Sequence, residues 1–137
     1  MSWGIDTRHG MWLESRLGVV PPDLAEAMRD AIGRVDVGAK STPAEALAEV
    51  SVAELCSVTE AEQDRGAALR LLAADALLTY AFEAAVDPDV GGDAAAAERL
   101  AEQIGPWGSL GDRIGPTAPA DELFGCEASW EGDCRTT

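Results

Sequence analysis

The sequence predicts an all-α fold: a small domain of four to five helices around a buried central helix at about 64–87, with irregular arms at both ends. Three observations predict it. The stretch 66–86, GAALRLLAADALLTYAFEAAV, sets Leu69, Leu71, Leu72, Leu77, Leu78, Tyr80 and Phe82 among alanines, with only Arg70, Asp75, Thr79 and Glu83 interrupting. Drawn as a helix it is apolar in most directions, the pattern of a helix buried on most sides. Elsewhere apolar residues recur at helical spacing. Helix start and stop signals bracket those recurrences. The chain's 137 residues suit one domain with a real core.

Residues 1–21 read as an N-terminal arm carrying Trp3, His9 and Trp12, broken by Gly10. Met11 to Leu17 has room for two helical turns, with Trp12 and Leu13 beside Leu17 on one side. Val20-Pro21-Pro22 forces an extended entry, and Pro22 suits a first helical turn, where a missing N–H costs little. Leu24, Met28, Ile32 and Val35 then mark one face of a helix from about Pro22 to Arg34.

Thr42-Pro43-Ala44-Glu45 is a capping box with proline preset in the first turn. Leu47, Val50 or Ser51, Leu55 and Val58 form the face that follows. Thr59-Glu60-Ala61-Glu62 repeats the capping pattern and Asp64 offers another cap, so the long helix begins at one or the other. Pro88 stops it. Asp93 caps AAAAERLAEQI, with Leu100 and Ile104 inward and Ala96 and Ala97 permitting close approach. Gly105-Pro106 ends that helix. The helical domain therefore spans 22–105, and residues 106–137 form an extended arm containing Gly and Pro, without a sustained period.

The net charge is −15, from 25 acidic and ten basic residues. Phosphate backbones are bound by Lys and Arg, so this balance argues against nucleic acid and anionic membrane surfaces as partners. The charge is uneven: −1 over residues 1–40 (six acids, five bases), −10 over 41–111 (thirteen and three) and −4 over 112–137 (six and two). Lys40 is the only lysine, a bias that fits a GC-rich bacterial genome. The N-terminus has no basic start followed by an apolar run, and the central stretch is broken by charges. The expectation is a cytoplasmic protein without membrane insertion, its cysteines 56, 126 and 134 reduced.

Candidate chemistry is sparse. Asp75, Thr79 and Glu83 form a stripe at spacings of four, which reads as a solvent-facing strip rather than a pair of acid–base carboxylates. A di-iron bundle needs Glu-x-x-His pairs, and His9, the only histidine, is in none. Cys126 and Cys134 lack the close pairing of a zinc site. GPWGSLGDRIG follows a helix and lacks GK[ST], so it is no phosphate loop. No catalytic, cofactor-binding or metal residue is assigned.

LLAADALLTYAFE, followed by ERLAEQIG and a Gly-rich turn, resembles the mid-chain helices of trans-isoprenyl diphosphate synthases over roughly a third of the chain. Ala74 stands where that family's pattern has glycine, and both Asp-rich DDxxD motifs are missing. Magnesium and diphosphate could not be held in that family's way, so no site residue carries across.

The aromatic distribution is the informative feature. Trp3, Trp12, Trp107, Phe124 and Trp130 all lie in the two arms, and Trp is enriched at interface hot spots. These five are the candidate partner-binding residues. The functional expectation is a non-enzymatic accessory or structural subunit that docks on a larger protein assembly through its arms. Two alternatives belong to other classes: an acidic inhibitor or adaptor covering a basic surface, and a small-molecule binder with its pocket beside the long helix.

Overall fold

The computed structural model describes residues 7–35 and 42–114. Among them are six α-helices: α1 (Thr7–Leu17), α2 (Pro22–Arg34), α3 (Pro43–Thr59), α4 (Arg65–Val86), α5 (Ala94–Ile104) and the one-turn α6 (Gly111–Ile114). A short 3-10 turn, Pro88–Val90, links α4 to α5. The all-α class is as the sequence predicts. No helix among the described residues is long and apolar enough to cross a membrane.

Capping chemistry sets the boundaries. The Thr42 hydroxyl accepts from the Glu45 N–H at 3.2 Å, Asp64 from the Ala67 N–H at 2.7 Å and Asp93 from the Ala96 N–H at 2.7 Å. Each satisfies one of the orphan donors at a helix start. Asp64, and not Thr59, therefore opens the long helix. Thr59 closes α3 instead, its hydroxyl donating to the Cys56 carbonyl at 2.8 Å. At the other end α4 stops two residues before Pro88, and Gly91 turns the chain with φ of 78°, a left-handed conformation suited to glycine. Gly10 does not break α1, which runs through it from Thr7. A helical glycine costs about 1 kcal/mol relative to alanine, and burial of Trp12, Leu13 and Leu17 offsets it.

α3 and α4 form an antiparallel hairpin with the most extensive packing among the described helices. Its seam is rich in alanine: Ala48 beside Ser51 on one side, Ala73, Ala74 and Ala81 on the other, all buried. Small side chains let the backbones approach, close enough for the buried Ser51 hydroxyl to donate to the Ala74 carbonyl at 2.6 Å. α2 packs on both helices through Met28, Ala31 and Ile32, and α5 inserts Leu100 from the other flank. Leu47, Val50 and Leu77 lie at the centre.

α4 is central yet not enclosed. Ala67, Ala73, Ala74, Leu77, Ala81, Ala84 and Ala85 make one buried face. The opposite face, with Leu72, Asp75, Thr79, Glu83 and Val86, is exposed. α3, by contrast, is buried on more of its circumference, since α2, α4, α5 and α6 all contact it.

Candidate functional site

The exposed tryptophan arises at the end of α5. Gly105 ends the helix, its N–H donating to the Ala101 carbonyl at 2.9 Å. The chain then folds straight back: the Gly108 N–H donates to Gly105 and the Leu110 N–H to Gln103, each at 2.9 Å. Leu110 plugs into the core at 6% exposure. Gly108 and Gly111 lie so close to the end of α5 that a β-carbon at either would run into backbone carbonyl oxygens, those of Gln103 and Glu102 in the first case and Ile104 and Gly105 in the second. Side-chain-free residues are therefore required at both points. α6 is tied to α3 by the Cys56 thiol, which donates to the Arg113 carbonyl at 3.2 Å, and by an Arg113–Glu49 ion pair at 2.6 Å.

This anchored turn carries Trp107 at 95% exposure. A Trp side chain offers one of the largest apolar surfaces available and is costly to leave in water. On the helices that flank the turn, Ile114 is 45% exposed, and Glu98, Glu102 and Asp112 are exposed carboxylates.

The other candidate aromatics fall differently. Trp12 is 8% exposed and belongs to the chain's own core. Its indole N–H donates to Asp87 at 2.6 Å, and the Arg16 guanidinium lies over its ring, 4.3 Å from the centroid. Asp87 also accepts the Asp89 N–H at 2.9 Å. The bonds from Trp12 and Asp89, with the Arg16 charge, outweigh desolvation and hold the Asp87 carboxyl below the usual range. Trp3, Phe124 and Trp130 lie outside the described residues, as do Cys126 and Cys134. Asp75, Thr79 and Glu83 line the exposed face of α4, with the Thr79 hydroxyl donating to the Asp75 carbonyl at 3.1 Å. Among the described residues no cluster of three or more His, Cys, Asp or Glu side chains is arranged to hold a metal ion.

Sequence reading missed an ion cluster built on a buried carboxylate. Glu54 is 3% exposed on α3, and its carboxylate accepts from Arg34 of α2 at 2.8 Å and from Arg70 of α4. Arg70 also donates to the Ser57 hydroxyl at 2.7 Å. Burial alone pushes Glu54 up, but the Arg70 and Arg34 hydrogen bonds and charges outweigh it and hold the carboxyl below its ordinary value. The only trace of this in the sequence is a glutamate at the inward register of α3, three residues after Ser51 and four before Val58. Beside the cluster, α2 and α4 enclose an open hollow of about 320 Å³ lined by Asp23, Glu26, Asp30, Arg34, Leu69 and Arg70. Ala27 and Gly66 complete the lining, and five of its eight residues are ionisable.

Comparison with known proteins returns no matching family model, no matching curated protein and no matching solved structure. The likeness to isoprenyl diphosphate synthases gains no support from them.

Proposed function

We propose that this chain is a non-enzymatic interaction subunit, a small helical domain that docks on a protein partner with Trp107 as its anchor. The observation that carries this reading is the near-complete exposure of Trp107 on a turn that glycine packing and backbone hydrogen bonds hold in place. A large aromatic presented on a pre-organised support loses little entropy on binding, which is the economy of an interface hot spot. The Trp12 ring is already used inside the domain, so among the described aromatics the docking role falls to Trp107.

The test is recovery of partners from the cells that make the protein. The tagged wild-type chain should retain a partner at physiological salt, and Trp107→Ala should lose it. Truncating a hot-spot Trp costs about 2 kcal/mol or more, roughly a thirtyfold loss of affinity. Trp107→Ala should melt within a degree or two of the wild type, because the side chain supports nothing inside the domain. Full retention of the partner by a folded Trp107→Ala chain refutes the reading.

A further inference from the structure

The two described tryptophans meet opposite fates, and the buried one shows what the exposed one lacks. Arg16 covers the Trp12 ring and pairs with Glu83 at 3.5 Å and Asp87 at 3.4 Å. A single guanidinium thus meets the negative face of an indole and two carboxylates together. The turn that carries Trp107 has carboxylate residues beside it in the backbone: Glu102 is in the last turn of α5 with its carbonyl against Gly108, and the Asp112 N–H donates to the Gly108 carbonyl at 3.0 Å. Glu98 and Glu102 stand on the outward face of α5, opposite buried Leu100, because residues two positions to either side of Leu100 lie on the far side of the helix. Asp112 is exposed in α6. None of the three forms an ion pair with another described residue. The neighbouring cations are directed elsewhere. Arg113 is held by Glu49, and Arg99 lines the small hollow beside Thr42 and Pro43 at the start of α3.

We infer that Trp107 with Glu98, Glu102 and Asp112 receives a basic protein segment, an Arg or Lys of which stacks on the indole while its neighbours pair with the carboxylates. This rests on the docking reading above and adds the partner's chemistry. Charge complementarity favours it over a neutral pocket: the chain carries −15 overall, and −10 of that lies in residues 41–111. Stacking on the ring supplies part of the affinity, and more as the pair is desolvated. The acidic flank supplies the remainder and makes the binding sensitive to salt.

A random peptide library displayed on phage, panned against the immobilised full chain and counter-selected on Trp107→Ala, tests this directly. Enriched peptides should carry Lys or Arg, and their affinities, read by fluorescence anisotropy, should fall at least about tenfold with both Trp107→Ala and Trp107→Leu. The triple variant E98Q/E102Q/D112N should bind several-fold more weakly and with a flatter salt dependence. All variants should keep the wild-type melting temperature. Enriched peptides that depend on Trp107 but carry no basic residue overturn the inference and leave the docking reading standing. Basic peptides that bind Trp107→Ala as tightly as wild type overturn both, since bulk acidity alone then attracts them. A Trp107→Leu chain with undiminished affinity removes the stacking contact, and panning that yields no Trp107-dependent peptide overturns the inference outright.

Discussion

Replacing Glu54 by Gln should lower folding stability by about 2 kcal/mol near neutral pH and by much less in acid. Glu54 is buried, and two guanidinium groups converge on its carboxylate. A hydrogen bond to a charged group contributes about 1.5–3 kcal/mol, and stripping one partner from a fully buried pair costs about 3–5 kcal/mol. The upper figures do not apply, because the Arg34 and Arg70 side chains are 49% and 32% exposed and regain water when the carboxylate is gone. Gln also keeps a carbonyl acceptor and nearly the same volume, so the expected loss lies near the lower end. The pH dependence has a definite sign. The folded-state carboxyl is held below its unfolded value of about 4.3. Its contribution is therefore fully present above about pH 5 and is lost as pH falls through the lower folded value. Urea unfolding followed by circular dichroism, with wild type and Glu54→Gln compared at each pH, isolates this group from the general relief of charge repulsion in acid. A wild-type advantage under about 0.5 kcal/mol near neutral pH, or one that does not shrink in acid, refutes the reasoning.

Asp87→Asn should loosen α1 from the 3-10 turn, because the Trp12 N–H and Arg16 lose their charged acceptor; near-ultraviolet circular dichroism and faster proteolysis within α1 report it. Since the Asp87 carboxyl is held low, the same contact in the wild type should persist through mild acid and fail only as pH falls below the ordinary carboxylate range. Gly111→Ala should destabilise the chain by about 1–3 kcal/mol, because the added methyl meets the carbonyls of Gly105 and Ile104 and forces the turn open; a melt that is unchanged shows the close approach to be wrong. Gly10→Ala should do the reverse and raise stability by about 0.5–1 kcal/mol, since the site is helical and open around the new methyl. Leu77→Ala, at the fully buried centre, should cost about 2–5 kcal/mol by chemical denaturation.

Much of the architecture is decided by local chemistry and was legible in the residues. Thr42, Asp64 and Asp93 cap helices because their side-chain oxygens reach N–H groups three residues on, a contact that depends on nothing distant. Pro22, Pro88 and Pro106 act through proline's restriction of its own and the preceding residue's backbone, and Gly105 before Pro106 takes φ of −59° rather than the left-handed conformation of a C-cap glycine. The amphipathic face Leu24, Met28, Ile32 lies where its spacing places it. The choice between Thr59 and Asp64 was open for the same reason, since both residues carry a competent side chain and only the length of α3 decides between them.

What the tertiary structure alone decided is which way each ambiguous side chain faces and what meets it there. An Ala/Leu helix looks apolar all round, yet α2, α3 and α5 cover part of α4 and leave Leu72 and Val86 in water. Two tryptophans that the sequence places alike in terminal arms end at 8% and 95% exposure because α1 folds its ring onto Asp87, 75 residues away, while the α5–α6 turn points its ring outward. Arg34, Glu54 and Arg70 become a cluster only when α2, α3 and α4 converge. Caps and breakers are short-range interactions that a sequence spells out residue by residue. Burial and ion pairing are set by the summed packing of distant segments, and for those the fold itself has to be known.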